Sequence, residues 1–356
     1  MTKLPLLARQ LRSELESSAF SRRGELSVDG ASGAVGCVAC AHRCVVGKGA
    51  RGACGVRFNR DGELHVPFGY VARRYVRAVE TNTIFHLAPG ARALTFGMFG
   101  CDLRCPYCHN HRLSQVLRDG ETEEHPHPVT EKALVDEAVR AGCSVVCAAY
   151  NEPMIGAEWT RAVFEAAKRR GLRTAVVSDG HSTPEALTYL RDVTDVFRVD
   201  LKAHSEAAYR ALGGRLEPVL RSIATARELG YWVEVVTLVV PGFNQERSAI
   251  ASIGARLREI DPAMPWHLNG FVPRYRLRAT PPADPAFLML AAGAAYVAGS
   301  RYVYVGNVPA CAELAHTRCP RCHAVAVRRR DYATVEVRLR QGRCPSCDHE
   351  LPGLWD

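Results

Sequence analysis

Apolar and polar residues are arranged in repeating blocks through the middle of this chain, and the blocks predict strands and helices in turn. The stretch 144–150 is continuously apolar, as expected of a strand that is buried on both faces of a parallel sheet. The stretches 158–170 and 217–229 are each followed by a glycine, which is a typical helix end. The pattern predicts strands at 93–99, 144–150, 174–177, 196–199, 232–240, 266–271 and 302–305, and helices at 130–141, 158–170, 217–229, 246–260 and 286–298. This order implies a parallel sheet, most simply a full or partial (β/α) barrel.

Polar residues stand at or just after the predicted strands, where barrel enzymes build their active sites. The groups are the cysteine loop 101–108, Asn151-Glu152-Pro153, Ser178-Asp179-Gly180, Asp200-Leu201-Lys202, Pro241-Gly242-Phe243-Asn244, His267 with Asn269, and Gly306-Asn307. Each group, taken alone, is explained by turn or helix-cap chemistry. Seven groups in register are much harder to explain in that way, so the pattern predicts a site at one end of the barrel.

The composition agrees with a folded, water-soluble chain that has more than one part. The chain has 356 residues, of which 47% are hydrophobic and 23% are charged. The first residues carry too short an apolar run for a signal peptide, and the apolar stretch 286–300 is too short to cross a membrane. We therefore expect a cytoplasmic protein without membrane contact. We divide it into an N-terminal extension (1–90), a barrel (91–316) and a C-terminal module (317–356).

Fourteen cysteines in a cytoplasmic chain indicate metal sites rather than disulfides. Three of them, Cys101, Cys105 and Cys108, share one short loop, which suits an iron–sulfur cube with one iron left open. The same loop also fits a zinc site that includes His109. It contains a C-x-x-C-H haem pattern as well, although haem c is attached after export and no export signal is predicted.

The other two cysteine groups lie near the ends of the chain. Cys319, Cys322, Cys344 and Cys347 form two C-x2-C pairs around a predicted hairpin, which indicates a zinc ribbon. Cys37, Cys40, Cys44 and Cys54 lie in glycine-rich sequence with irregular spacing. That spacing permits zinc or a second iron–sulfur cluster, and we favour a structural zinc.

The formal net charge of +9 suggests nucleic acid at first sight. The excess is local, since 318–343 holds eight arginines against Asp331 and Glu336. Metal-bound cysteines are thiolates and would lower the true charge. The basicity is therefore only a weak sign of nucleic-acid binding.

From about residue 37 to the end, the chain resembles the AmmeMemoRadiSam system radical S-adenosylmethionine (SAM) enzymes, relatives of the pyruvate formate-lyase activating enzymes. The loop carries their CxxxCx(aromatic)C motif, with Tyr107 as the aromatic residue. Two departures are His109-Asn110 in place of Gln-Asn, and Ser178-Asp179-Gly180 in place of Thr-Asn-Gly. Further matching segments are Cys-x2-Cys-x-His-Arg-Cys at 37–44, Phe-His-Leu-Ala-Pro-Gly at 85–90, Tyr-Asn-Glu-Pro at 150–153, Val-Asp-Leu-Lys at 199–202, 233–244, Pro-Trp-His-Leu-Asn-Gly-Phe-Val-Pro at 265–273, and Tyr-Val-Gly-Asn at 304–307.

The resemblance implies that SAM binds the open iron of a [4Fe–4S] cluster and is cleaved by one electron to a 5′-deoxyadenosyl radical, which takes hydrogen from a substrate. It also implies roles for the polar groups. An ion pair on one face of a strand would explain Asp200 and Lys202 equally well, and a buried position in the core would explain His267 and His86. The resemblance implies that Cys101, Cys105 and Cys108 bind the cluster, with Tyr107 beside the cofactor. It implies that Asn151 and Glu152 bind the SAM ammonium group, and that Ser178 and Asp179 bind the ribose. Lys202 would bind an anion, Asp200 would bind a cation, and His267 would contact the substrate.

The substrate is predicted to be a small molecule or a protein, and an electron donor such as flavodoxin or ferredoxin is expected. One alternative is an activase that installs a glycyl radical in a partner enzyme. Such an activase needs a groove wide enough for a peptide loop. Another alternative is a zinc-ribbon protein that binds nucleic acid on a non-catalytic barrel, and it is supported only by the arginines at 328–330.

Overall fold

The seven apolar segments predicted as strands form the parallel part of one central sheet. The computed structural model describes residues 4–356. Along the central sheet we number the strands β1 Arg73–Ala78, β2 Arg92–Gly97, β3 Val145–Ala148, β4 Arg173–Ser178, β5 Val196–Asp200, β6 Trp232–Val239, β7 Trp266–Gly270 and β8 Val303–Gly306. Their order in space follows their order in the chain. All neighbours are parallel except β1, which pairs antiparallel with β2.

The sheet is open, with β1 and β8 as its two edges, so of the predicted alternatives the full barrel is wrong and the partial barrel is confirmed. The helices are Leu6–Leu15, His111–Ser114, Val116–Asp119, Glu131–Arg140, Ala157–Arg169, Pro184–Leu190, Glu206–Ala211, Leu216–Glu228, Arg247–Ile260 and Pro285–Val297. Thr130 caps the helix Glu131–Arg140, because its side chain accepts a hydrogen bond from Ala133 N at 3.2 Å. Among the described residues, no helix has the length and apolar character that a membrane span requires.

The N-terminal extension builds small antiparallel sheets that pack against the central sheet and its helices. Its strands are Ser21–Arg23, Ser27–Asp29, Val35–Cys37, Val45–Val46, Phe58–Arg60, Glu63–Pro67 and Tyr70–Val71, the last of which pairs with His127–Pro128. The extension is fixed by a fully buried ion pair, in which Arg57 donates to both carboxylate oxygens of Glu158 at 2.8 and 2.7 Å. Glu158 also accepts from the backbone N–H groups of Glu25 and Leu26, so one carboxylate joins three segments.

The C-terminal module is a three-stranded antiparallel sheet that lies across the open side of the central sheet. Its strands are Thr317–Arg318, Val325–Arg330 and Ala333–Val337. On one side, Arg329 donates to Phe85 O at 2.7 Å and Leu354 N donates to His86 O at 2.8 Å. On the other side, Tyr332 Oη donates to Asn307 Oδ1 at 2.7 Å, just after β8. The module therefore contacts both the segment that follows β1 and the end of β8.

Arg329 bears on the charge argument from the sequence. It belongs to the triple-arginine run at 328–330, yet only 2% of it is exposed because it is turned into the contact with residue 85. One of the three arginines that suggested nucleic-acid binding is thus part of the protein interior.

Candidate active site

The cysteine loop follows β2 directly, and its three thiols open into one cavity of about 460 Å³. A glycine at position 100 permits the tight approach of this loop to the N-terminal extension. Its φ is +91°, and an added Cβ would lie 2.9 Å from Cys54 O. Arg118 ties the same two segments together, since its Nη2 donates to Ala53 O at 2.8 Å and to Cys101 O at 2.7 Å.

The residues present fit an iron–sulfur cluster. Burial raises the pKa of the Cys101 thiol well above its usual value and that of Cys105 to about 12, so these thiols need a bound metal to become thiolates. Cys108 Sγ lies 3.2 Å from Ser114 Oγ. Cys101, Cys105 and Cys108 are the cysteines that line this cavity within the described part of the chain, which leaves one corner of a cube for another ligand.

The structure brings the predicted cofactor residues into the same cavity. The predicted residues that line it together with the three cysteines are Tyr107, Asn151, Glu152, Ser178, Asp179, Asp200 and Lys202. They come from the loops after β2, β3 and β4 and from the end of β5, so the expectation that strand ends converge on one site holds for them.

Glu152 organises the loops after β3 and β4. Its Oε1 accepts from Met154 N and from Ser178 Oγ, both at 2.9 Å, and its Oε2 accepts from Asp179 N at 2.7 Å. Burial and the nearby charge of Asp102 raise the pKa of Glu152 to about 7. Ser178 Oγ in turn accepts from Gly180 N at 2.9 Å, so the hydroxyl predicted to meet the ribose already donates and accepts within the protein.

Two acidic side chains flank the first thiol of the loop. Cys101 Sγ lies 3.9 Å from Asp102 Oδ1 and 3.8 Å from Asp179 Oδ2. Burial, together with the charges of Asp102 and Glu152, raises the pKa of Asp179 well above its usual range. The departure from asparagine at this position therefore places beside Cys101 a carboxyl group whose neutral form is favoured by its surroundings.

His181 contacts one carboxylate oxygen of Asp102, and this role was not predicted from the sequence. Its Nδ1 lies 3.0 Å from Asp102 Oδ2, and ligand atoms of His42, Asp102 and His181 lie within 4.8 Å of one another. His42 belongs to the N-terminal cysteine motif, so this contact links that motif to the cluster loop. A lone histidine after a glycine turn carries no local signal for such a role.

Lys202 shares one carboxylate with an arginine. Lys202 Nζ donates to Asp200 Oδ2 at 2.9 Å, and Arg198 Nη1 donates to Asp200 Oδ1. Burial opposes the charge on Lys202, but the attraction of Asp200 outweighs it and raises the pKa of Lys202 well above its usual value. The predicted ion pair exists, and Lys202 and Arg198 both line the cavity.

His267 does not line the cavity, unlike the other residues predicted to bind the cluster, SAM or the substrate. It is 1% exposed, and its Nε2 is 2.8 Å from Glu234 Oε2. Although burial opposes ionisation, the hydrogen bond and charge of His267 lower the pKa of Glu234 to about 2. The same carboxylate accepts from Phe85 N and His86 N. The arrangement favours a core histidine over substrate contact, and His86 is buried in the same network.

The two terminal cysteine groups differ in geometry. Sulfur atoms of Cys319, Cys322, Cys344 and Cys347 all lie within 4.8 Å of one another. Within residues 4–356, the thiols at 37, 40, 44 and 54 form no such group. Four thiolates around one zinc ion stand about 3.8 Å apart, given Zn–S bonds of about 2.3 Å. The C-terminal group therefore matches a single tetrahedral ion, whereas the N-terminal thiols are spread more widely.

The turn after β4 allows a stability prediction. Gly180 has a φ of +76°, and an added Cβ would lie 2.6 Å from Val199 Cγ1 and 2.9 Å from Val219 Cγ1. We expect Gly180→Ala to lower the free energy of unfolding by about 2–4 kcal/mol, from backbone strain plus overpacking. Gly142→Ala is the matched control, because its φ is +68° with nothing within 4 Å. It should cost only about 1 kcal/mol in urea unfolding. Equal losses would mean that the two valines do not crowd position 180.

Comparison with known proteins agrees with this geometry. A model of the "Radical SAM superfamily" matches residues 96–251. An uncharacterized protein of Methanocaldococcus jannaschii is 30% identical over 322 residues, which cover 89% of this chain and 95% of that protein. The pyruvate formate-lyase 1-activating enzyme of Escherichia coli is 28% identical over 199 residues, covering 51% of this chain and 76% of the activating enzyme. A radical SAM methyltransferase structure from Sphaerobacter thermophilus aligns with a TM-score of 0.49 and 13% identity, covering 86% of this chain and 84% of that one.

The matched region contains the cysteine loop and the loops that supply Glu152, Asp179 and Lys202. The relative from Methanocaldococcus jannaschii is covered over nearly its whole length, and the thiols of this chain stand together at the cavity that those loops form. The chain belongs to the radical SAM superfamily.

Proposed function

We propose that this radical SAM enzyme directs its chemistry at a small molecule enclosed in the cavity. The observation that carries the proposal is that Tyr332 of the C-terminal module lines the cavity together with the cluster cysteines. The module lies across the open side of the sheet, where a peptide loop would otherwise enter. Of the possible substrates, a small molecule fits a cavity of about 460 Å³ that the module partly covers better than a protein loop does.

The cofactor chemistry is that of the superfamily: a [4Fe–4S] cluster with bound SAM supplies, on reduction, a 5′-deoxyadenosyl radical that removes hydrogen from the substrate. Cys101, Cys105 and Cys108 would hold the cluster. An electron donor such as flavodoxin or ferredoxin would reduce it. The chain's own residues would bind SAM and keep water away.

Glu152 and Asn151 are suited to bind the ammonium group of SAM. A carboxylate offers about four acceptor positions. In Glu152, hydrogen bonds inside the protein already occupy three of them. One position is left for a donor in the cavity. Asn151 Oδ1 accepts from Met98 N at 2.9 Å and likewise keeps one free lone pair. Lys202, held by Asp200, is placed to pair with the SAM carboxylate.

Deuterium transfer distinguishes a small substrate from a protein substrate. Extract of the native host grown in heavy water is separated into a low-mass and a protein fraction, and each is added to reconstituted, reduced enzyme with SAM. We expect deuterium in the 5′-deoxyadenosine with the low-mass fraction, measured by mass spectrometry. Deuterium from the protein fraction alone would contradict the proposal.

A glycyl-radical activase is the second candidate, favoured by the similarity to the Escherichia coli activating enzyme. This candidate predicts the protein-fraction result, together with a glycyl radical signal in electron paramagnetic resonance. We propose the AmmeMemoRadiSam group as the subfamily, on the motifs noted in the sequence. None of the fourteen cysteines forms a disulfide, which fits a reducing compartment such as the cytoplasm.

We further propose zinc in the C-terminal module and a second iron–sulfur cluster, rather than zinc, at Cys37, Cys40, Cys44 and Cys54. The C-terminal sulfurs approach to 3.7 Å between Cys319 and Cys347 and 3.5 Å between Cys322 and Cys344. The wider N-terminal spacing suits a cluster of several irons.

Metal analysis of one anaerobically reconstituted sample tests these assignments. We expect about eight iron ions and about one zinc ion per chain. Cys322→Ser should remove the zinc and leave the iron, because Cys322 lies in the C-terminal group alone. Cys54→Ala should reduce the iron to about four. About four irons and two zincs in the unmodified protein would favour zinc at the N-terminal site instead.

A further inference from the structure

We propose that the cavity contains a subsite for an anionic group of the substrate, a carboxylate or a phosphate, on the side of the C-terminal module. We call it the ribbon-side pocket and define it by Thr83, Arg198, Asn269, Asn307 and Tyr332. The proposal rests on the proposed function and adds the class of substrate. All five residues line the cavity that also holds the cluster thiols.

Several contacts bring these side chains together. Tyr332 Oη donates to Asn307 Oδ1 at 2.7 Å, and Asn269 Nδ2 donates to Thr83 Oγ1 at 3.3 Å. Gly306 permits Asn269 and Tyr332 to lie this close to the backbone, because it has no side chain between them. A Cβ at that position would lie 2.5 Å from Asn269 Oδ1 and 2.6 Å from Tyr332 Oη. The pocket is thus assembled from β5, β7, β8, the segment after β1 and the C-terminal hairpin.

Two buried polar atoms of the pocket have no partner among the described residues. They are Arg198 Nε and Asn269 Oδ1. Arg198 is 7% exposed and Asn269 is 6% exposed, so neither atom is compensated by bulk water. An unpaired buried donor or acceptor destabilises the folded protein, and more so when it is charged. A ligand that supplies an acceptor to Arg198 and a donor to Asn269 removes that cost.

The charges of the cavity favour an anion. Arg198 and Lys202 share the single carboxylate of Asp200, which leaves one positive charge in excess. Arg77 lines the rim without an ion pair among the described residues. The other acids of the cavity, Glu152 and Asp179, lie on the side of Cys101, where Glu152 is placed for the SAM ammonium. SAM brings one carboxylate for Lys202, and Arg198 remains for a second anionic group.

The pocket therefore fits a substrate that carries a carboxylate or phosphate next to a hydroxyl or amino donor. Arginine binds either anion through paired N–H groups, and Asn269 Oδ1 accepts from the neighbouring donor. A purely apolar substrate would leave both buried atoms unpaired.

Equilibrium dialysis with radiolabelled inorganic phosphate, and separately with labelled acetate, tests the pocket. Reconstituted protein is dialysed at constant ionic strength, with and without SAM. We expect one equivalent of at least one anion to bind in the presence of SAM. Arg198→Gln, which removes the charge, and Gly306→Ala, which fills the space, should each weaken binding by at least about 10-fold. Arg210→Gln, an exposed arginine outside the cavity, should bind as the unmodified protein does.

Three results would overturn the proposal: neither anion binds, both variants bind as well as the unmodified protein, or SAM displaces the anion. The last result would assign Arg198 to the SAM carboxylate. Folding of each variant is checked by its thermal unfolding midpoint, and the two variants perturb the pocket by independent means. SAM cleavage by the unmodified protein is measured on the same sample. Its failure would count against the proposed function, whereas loss of anion binding alone would count only against the pocket.

Discussion

Replacing Cys105 with alanine is expected to abolish SAM cleavage. The thiol is 7% exposed and stands at the mouth of the cavity between the other two cysteines of the loop. Two thiolates hold a cube poorly, and without the cluster there is no route for an electron to SAM. We expect 5′-deoxyadenosine formation to fall by at least about 1,000-fold, which corresponds to about 4 kcal/mol.

Cys143→Ala is the matched control for this substitution. Cys143 is buried to a similar degree, at 6% exposed, but it lies before β3 and outside the cavity. Its replacement should cost about 1 kcal/mol of stability and leave SAM cleavage unchanged. Equal activity of the two variants would show that the loop does not hold the catalytic cluster.

Breaking the buried ion pair between the N-terminal extension and the helix Ala157–Arg169 should produce the largest loss of stability. Glu158→Gln keeps the shape of the side chain but leaves the charge of Arg57 buried and unpaired, with side-chain exposures of 1% and 0% in the pair. We expect the free energy of unfolding to fall by about 3–5 kcal/mol in urea. Glu185→Gln, which breaks the half-exposed pair with Arg43, should cost less than about 1 kcal/mol. Similar losses from both would contradict the role given to burial.

The same pair predicts a pH dependence of stability. Burial opposes ionisation of Glu158, but the charge and hydrogen bonds of Arg57 outweigh it and lower its pKa below the usual 4.5. A carboxylate with a lowered pKa in the folded state contributes stability above its unfolded pKa and loses it as the pH falls through the folded value. The difference in stability between the unmodified protein and Glu158→Gln should therefore shrink below about pH 4.5.

The sequence predicted the parallel strands well because apolar residues dominate most of them. The predicted strand at 232–240 and the observed Trp232–Val239 differ by one residue. The antiparallel edge strand Arg73–Ala78 was missed, since three of its six residues are arginine and its burial does not alternate clearly. It extends the central sheet into the predicted N-terminal extension, so the proposed start of the barrel at residue 91 leaves out one strand.

The side chains of the site were predictable where they follow a strand directly. Glu152 and Lys202 stand at strand ends, and the chain geometry alone turns them toward one cavity. Tyr332 was not predictable, because it reaches the cavity through contacts with residues far away in the sequence. His267 shares a strand face with Asn269, yet only Asn269 reaches the cavity. His267 is covered by Glu234, which sits inside an apolar strand and gave no sign of this role.

SAM cleavage by the reconstituted protein is the decisive measurement for the proposed chemistry. The protein is loaded with iron and sulfide without oxygen, reduced with dithionite and mixed with SAM, and 5′-deoxyadenosine is quantified by liquid chromatography. We predict 5′-deoxyadenosine together with a reduced-cluster signal in electron paramagnetic resonance that changes when SAM is added. A fully loaded, reducible cluster whose signal is unaffected by SAM and that forms no 5′-deoxyadenosine would refute radical SAM chemistry at this cavity.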